Sequence, residues 1–199
     1  TKECLQDLVS YSKTIGTQGA ALYFEWIAFE ITTLIIGYLG DVTVIAAHSA
    51  VLNYIFANGC FSVGLSMSTS VYVGNAAGEG KLNKAKKYAY IGLISNISVT
   101  FLLEMFLFIF KNSIASFYTS EASVKVIITE ILTFYFIGMY GDLLSNSLGF
   151  LLRTLGQERF VLKGYLWSYY TVGILFSIIL SLWLDFGYRG VWLSLIAGF

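Results

Sequence analysis

Five carboxyl side chains stand inside or beside long apolar runs: Glu25, Glu30, Glu104, Glu130 and Asp142. A charged acid at the centre of a membrane-spanning helix costs about 2.5–3.5 kcal/mol on insertion scales, so it normally faces a bundle interior or a wet cavity. Desolvation there disfavours the charged form of a carboxyl. A group poised in that way can take up a proton or Na⁺ on one side of a membrane and release it on the other. That is the chemistry of ion coupling.

The five acids do not read alike. Glu25 and Glu30 are five residues apart, which separates them by about 140° around a helix. One is therefore expected to face a central cavity and the other the packed bundle. Asp142 follows Tyr140 and Gly141, and the glycines at 138 and 141 would let water or a ligand approach the backbone. Glu104 has no polar neighbour in sequence and reads as a structural hydrogen-bond partner. Glu130 lies near a helix start, where an acid suits the helix dipole. No Ser-His-Asp set and no metal-ligand spacing is visible, and His48, the single histidine, cannot build a metal site alone. Cys4 and Cys60 read as structural thiols. An enzyme is not expected, nor is a metal or cofactor.

The elements that must position these acids follow from the apolar runs. A bilayer crossing takes about 20 residues. Runs of that length cover 19–39, 42–73, 89–110, 124–152 and 160–184, and 190–199 opens a sixth that stops half-way. Residues 1–18 are mixed and read as a cytoplasmic amphipathic approach. The expected fold is an all-α six-helix transmembrane bundle with its last helix truncated. The chain opens on Thr1 and closes inside an apolar run, so a fragment is expected. Proline is absent, so bends must come from other residues, and Gly59, Gly64, Gly138 and Gly141 are the candidates. The run from Gly64 to Ser70 is a small-residue face suited to close helix packing. Residues 74–80 form a glycine-rich turn that lacks the Gly-Lys-Ser/Thr ending of a phosphate cradle.

Bulk composition agrees. Hydrophobic residues make up 57% of the chain and charged ones 12%, about half the share usual in a soluble domain. Acids and bases balance at 12 each, which argues against a nucleic-acid partner. The basic residues also test the span assignment. Lys2, Lys13, Lys81, Lys84, Lys86, Lys87, Arg153, Arg159 and Lys163 fall on one side. Lys111, Lys125 and Arg189 fall on the other. By the positive-inside rule the first side, with the N-terminus, is cytoplasmic.

Several motifs, in order, resemble one family. Glu25-Trp26-Ile27-Ala28-Phe29-Glu30 resembles the E-W-x-A-[FY]-E pattern in the seventh span of eukaryotic multidrug and toxic compound extrusion (MATE) transporters. Val73-Gly74-Asn75-Ala76-Ala77-Gly78-Glu79-Gly80 resembles their V-G-N-x-L-G-x-G turn after the eighth span. Leu152-Arg153-Thr154-Leu155-Gly156-Gln157 resembles the L-R-G-x-G-x-Q turn after the tenth. Tyr169-Tyr170-Thr171-Val172-Gly173 and Gly190-Val191-Trp192-Leu193 resemble the Y-Y-x-x-G and G-x-W marks of spans eleven and twelve.

The resemblance implies one lobe of a twelve-span antiporter, spans seven to twelve, with the N-terminal lobe of the same transporter as its missing partner. It implies export of small organic cations and xenobiotics in exchange for H⁺ or Na⁺, by alternating access of two lobes. Glu25 and Glu30 match the family's acids in the seventh span, and Asp142 matches an acid eleven residues before the arginine of the tenth-span turn. A further family acid falls at Asn53, which could still bind substrate by hydrogen bonds. Trp26 and Tyr140 are candidates for cation–π contact with a substrate. The lipid bilayer is the expected surrounding, in a plasma membrane or a vacuolar or other organelle membrane. Two other readings stand beside this one: a flippase of lipid-linked precursors on a related scaffold, and a non-transporting membrane partner subunit.

Overall fold

The structure, a computed structural model, describes residues 8–199, leaving the side chain of Ser10 aside. Lys2, Cys4 and the first part of the amphipathic approach lie outside the described residues. The helices are α1 (Leu8–Tyr38), α2 (Val42–Gly78), α3 (Leu82–Ile109), the short α4 (Lys111–Tyr118) and α5 (Ala122–Thr154). They are followed by α6 (Glu158–Trp183) and α7 (Gly187–Gly198). α1 from Tyr11, α2, α3, α5 and α6 are each long and apolar enough to cross a membrane. The expected all-α bundle is the observed one, and no strand occurs among the described residues.

Helix ends depart from the apolar runs in ways that local chemistry explains. α1 continues from Leu8 through residue 18 without a break. α2 starts at an N-cap, where the Asp41 side chain accepts from the Thr43 amide at 2.8 Å. It then runs on through Gly74, Asn75, Ala76 and Ala77, so the turn expected over 74–80 contracts to its last residues. With no proline there, nothing stops the helix until Gly80, which turns the chain at φ +73. Gly156 does the same after α5, at φ +76. Short turns alternate the helices up and down. The α2–α3 and α5–α6 turns meet at one end of the bundle. The α1–α2 and α6–α7 turns and α4 meet at the other.

The core is built around α2 and α5. Ile36, Val51, Ile128, Ile131, Trp192 and Leu195 are buried in one cluster spanning α1, α2, α5 and α7. A second cluster ties Ala21, Ala28 and Phe29 of α1 to Val161, Tyr165 and Tyr169 of α6. Small residues set the closest approaches. A Cβ at Gly190 would meet the backbone of Leu180 and Ser181 at 2.8 Å, and one at Gly141 would meet the Phe199 backbone at 3.1 Å. Gly138 faces Ile196 in the same way. Gly138 and Gly141, expected to bend α5 or to admit a ligand, instead seat α7. Gly59 and Gly64 lie in the uninterrupted α2, with open space where a Cβ would be.

A polar layer crosses the middle of the bundle. Ser62, Ser66 and Ser70 are buried along α2. Asn96 of α3 donates to Ser66 Oγ at 2.9 Å and to Ser147 Oγ of α5 at 2.8 Å, and Ser66 and Ser147 lie 3.0 Å apart. The expected small-residue face of α2 therefore packs and hydrogen-bonds together.

Candidate functional site

Asp142, Asn146, Gly149 and Arg153 recur at spacings of three and four, so they line one stripe of α5. That stripe meets α1 and α6. Asn146 Nδ2 donates to Asp142 Oδ1 at 2.9 Å and to the Asp142 carbonyl at 3.1 Å, which fixes the carboxyl along the helix. Glu25 of α1 lies within electrostatic reach of Asp142 and Arg153 of α5 and of the Tyr169 hydroxyl of α6. Both acids are half-buried. Tyr165, one turn from Tyr169, brings its hydroxyl where a Cβ on residue 149 would lie 2.8 Å away, so a side chain there would have to displace the Tyr165 hydroxyl. The Arg153 guanidinium lies 5.3 Å from the Tyr165 ring centroid and 5.6 Å from that of Phe150. Its Nε and one Nη atom are buried without a hydrogen-bond partner. The cluster thus holds two carboxyls and one guanidinium between tyrosine walls. With both acids ionised it carries a net negative charge, and one cation would neutralise it.

A second group lies on the lobe surface. Trp26 is 54% exposed and stacks on Phe56 of α2, with centroids 5.1 Å apart and planes at 5°. Further along, Thr33 Oγ1 and His48 Nε2 are 3.0 Å apart, so α1 and α2 run antiparallel here. By the register of these two contacts Glu30 falls level with Val51 and Leu52, the residues that precede Asn53. Glu30 and Asn53 are both exposed. Asn53 Nδ2 donates only to the Ser49 carbonyl, at 2.9 Å. An exposed carboxyl within a span is costly against lipid and normally faces a bundle interior or a water-filled cavity.

The two glutamates point apart, with Glu25 toward the α5–α6 stripe and Glu30 outward from the same helix. Tyr140 does not join Asp142. Two residues rotate a helix by about 200°, and the Tyr140 ring instead lies 6.3 Å from that of Phe101 on α3. Trp26 likewise belongs to the surface group and not to the Glu25–Asp142 cluster.

Glu104 is buried and accepts from Tyr54 Oη at 3.2 Å and from Asn58 Nδ2. This is the hydrogen-bonded role expected of it. Glu130 is not a helix-start acid. It lies two turns inside α5 and pairs with Arg189, Nε to Oε1 2.6 Å, while Tyr188 Oη donates to its other oxygen at 2.9 Å. Sequence reasoning gave no role to Asn146 or Tyr165. A stripe count along α5 from Asp142 finds Asn146; Tyr165 emerges only when α6 is docked. Cys60 is a free, exposed thiol whose Sγ donates to the Phe56 carbonyl at 3.2 Å.

Long apolar helices that hold carboxyls between them define a polytopic integral membrane protein. The chain belongs to the MatE family, whose model matches residues 19–179. It is similar to the probable multidrug resistance protein NorM of Bacillus anthracis, 29% identical over 90% of this chain and 40% of that protein. It is also similar to multidrug and toxin extrusion protein 1 of Oryctolagus cuniculus, 27% identical over 98% of this chain and 34% of that one. The chain therefore spans about two fifths or less of these relatives. Its fold matches the crystal structure of the eukaryotic MATE transporter AtDTX14 with a TM-score of 0.92 at 19% identity, over 100% of this chain and 44% of that one. An outward-facing multidrug resistance MATE family transporter matches with a TM-score of 0.85 at 16% identity, over 100% and 44%.

Proposed function

We propose that this chain is one lobe of an antiporter that exports organic cations in exchange for H⁺ or Na⁺. The observation that carries this reading is the nearness of Glu25, Asp142 and Tyr169 between α1, α5 and α6. The names of its relatives, which speak of multidrug resistance and of toxin extrusion, support the substrate class.

In this reading the two carboxyls are the coupling groups. Ionised, they draw a cation toward the lobe. Loaded with a proton or Na⁺, they lose that attraction and the substrate leaves. The surface group assists, with Glu30 supplying charge, Trp26 a ring face for cation–π contact and Asn53 an amide. Arg153 beside the acids keeps the cluster from binding more charge than it must release. One charge moved across 100 mV contributes about 2.3 kcal/mol, which sustains roughly fifty-fold accumulation. Alternating access needs two bodies moving about a shared site. The polar face of α1 and α2 is then the wall turned toward the other lobe, and the basic end of the bundle is cytoplasmic.

The test is transport by the complete transporter in inside-out vesicles. Acidifying the vesicle lumen is expected to drive uptake of a fluorescent organic cation, because protons leave as substrate enters. Glu25→Gln and Asp142→Asn are each expected to remove that dependence. Normal rates and an unchanged pH profile in both variants would overturn the reading.

A further inference from the structure

A second carboxyl is enclosed where α2, α3 and α5 meet near the α4 end of the bundle. Glu104 is 2% exposed. Its oxygens accept only neutral donors, Tyr54 Oη and Asn58 Nδ2. Lys111 borders the same small cavity, but its Nζ donates to Thr133 Oγ1 at 2.9 Å and lies 4.5 Å from the Phe108 centroid. Asn58 is 8% exposed, and its Oδ1 has no donor. The cavity, lined by Tyr54, Glu104, Lys111 and Tyr135 among others, has room for about one water.

These facts conflict with a resting carboxylate. A buried charge needs an opposite charge, and removing one from water without it is costly. Neutral hydrogen bonds do not cancel it. The orphaned amide oxygen of Asn58 is a buried acceptor that a cation or an O–H would satisfy, and an amide can turn about its last bond to present it. With the Asn58 amide turned, its oxygen would join the two carboxylate oxygens, the phenol oxygen and the space for one water in a hard-oxygen set, which suits small hard cations.

We propose that Glu104, Tyr54 and Asn58 form a second monovalent-cation site in this lobe, for a proton or a sodium ion, apart from Glu25 and Asp142. The titratable groups facing it are Tyr54 on α2, Lys111 and Tyr118 on α4, and Tyr135 and Tyr140 on α5. The Tyr135 ring packs edge-on to Tyr54, with centroids 6.4 Å apart. Because the site draws on α2 and α3, its occupancy does not depend on the acids of α1 and α5 being the coupling groups.

Infrared difference spectroscopy of the 199-residue chain in lipid nanodiscs tests this, with ¹³C-glutamate labelling to separate Glu from Asp carbonyls. A protonated-glutamate band is expected that Glu104→Gln removes, by one carboxyl, and that the Glu25→Gln/Asp142→Asn double variant keeps. Tyr54→Phe is expected to move its frequency, since a hydrogen bond to the carbonyl is lost. If the ligand is a proton, rising pH bleaches the band equally in sodium and in choline chloride. If it is sodium, exchanging choline for sodium at fixed pH bleaches it. Should Glu104→Gln fold poorly, Glu104→Asp keeps a carboxyl and takes the signal out of the labelled set. Spectra of both variants that match the parent in every buffer would overturn the proposal, whatever the transport assays show.

Discussion

Glu25 and Glu30 stand on one helix with similar neighbours in sequence, yet they face different surroundings. Glu25 is half-buried within electrostatic reach of a second acid, a guanidinium and a tyrosine hydroxyl, whereas Glu30 is exposed. Glu30→Gln is therefore expected to raise the apparent KM for a cationic substrate several-fold in the complete transporter while leaving the pH profile intact. Glu25→Gln should do the reverse, flattening the profile. Vesicle uptake across substrate concentrations and pH separates the two, and equal effects on both readouts would remove the distinction. Asn96 allows a stability measurement at the same scale. It joins three helices through Ser62, Ser66 and Ser147. Asn96→Ala should cost about 1–2 kcal/mol in reversible unfolding from lipid or detergent, near the upper end for polar contacts in membranes. That Glu25 and Glu30 diverge was legible from helical rotation alone. Which of them turns inward does not follow from rotation, because it depends on where α6 docks; the family resemblance points to Glu25 with Asp142.

At the scale of elements, glycine and serine set the packing. α7 lies close enough to α6 that Gly190 has no room for a side chain. Gly190→Val should separate the two helices and destabilise the lobe by roughly 1–3 kcal/mol, as overpacking does. A lowered thermal midpoint in detergent would show it, and an unchanged midpoint would mean that α7 can shift freely. α6 has an unusual repeat. Val161, Tyr165, Tyr169, Gly173, Ser177 and Ser181 are all buried, at strict intervals of four. An ordinary α-helix drifts about 40° in four residues, so such a stripe would wind off its partner. Here the winding widens to π-helical hydrogen bonding over Leu166–Leu175 and Ile179–Trp183, which takes more residues per turn and holds the stripe in line. Ser177 Oγ donates back to the Gly173 carbonyl at 2.6 Å within this stretch. The repeat of four was open to view in the sequence. The widened winding that accommodates it required the packed partner.

The molecule as a whole presents Glu30, Asn53 and Trp26 on one face, where an exposed carboxyl is costly against lipid, and it spans about two fifths of its relatives. The expected consequence is that this chain alone, reconstituted in proteoliposomes, moves no organic cation, and that co-reconstitution with an N-terminal MATE lobe restores flux. Transport by the chain alone would refute the two-lobe reading. A cysteine already present offers a cheap probe of the same face. Cys60 is exposed on α2, and a maleimide should label it faster in the lone chain than in the two-lobe assembly.

Helical class, family and the inventory of acids within apolar runs were determined by the sequence alone. Each rests on local or cumulative properties: apolar length, charge between runs, and motif order. Tertiary structure alone decided that Tyr140 turns to α3, that Gly138 and Gly141 seat a helix, and that Glu104 is closed off with Asn58 beside it. Those outcomes depend on the rotation and close approach of helices distant in sequence. In an apolar solvent that rotation is set by small residues and polar partners across the interface, and neither is visible along a single helix.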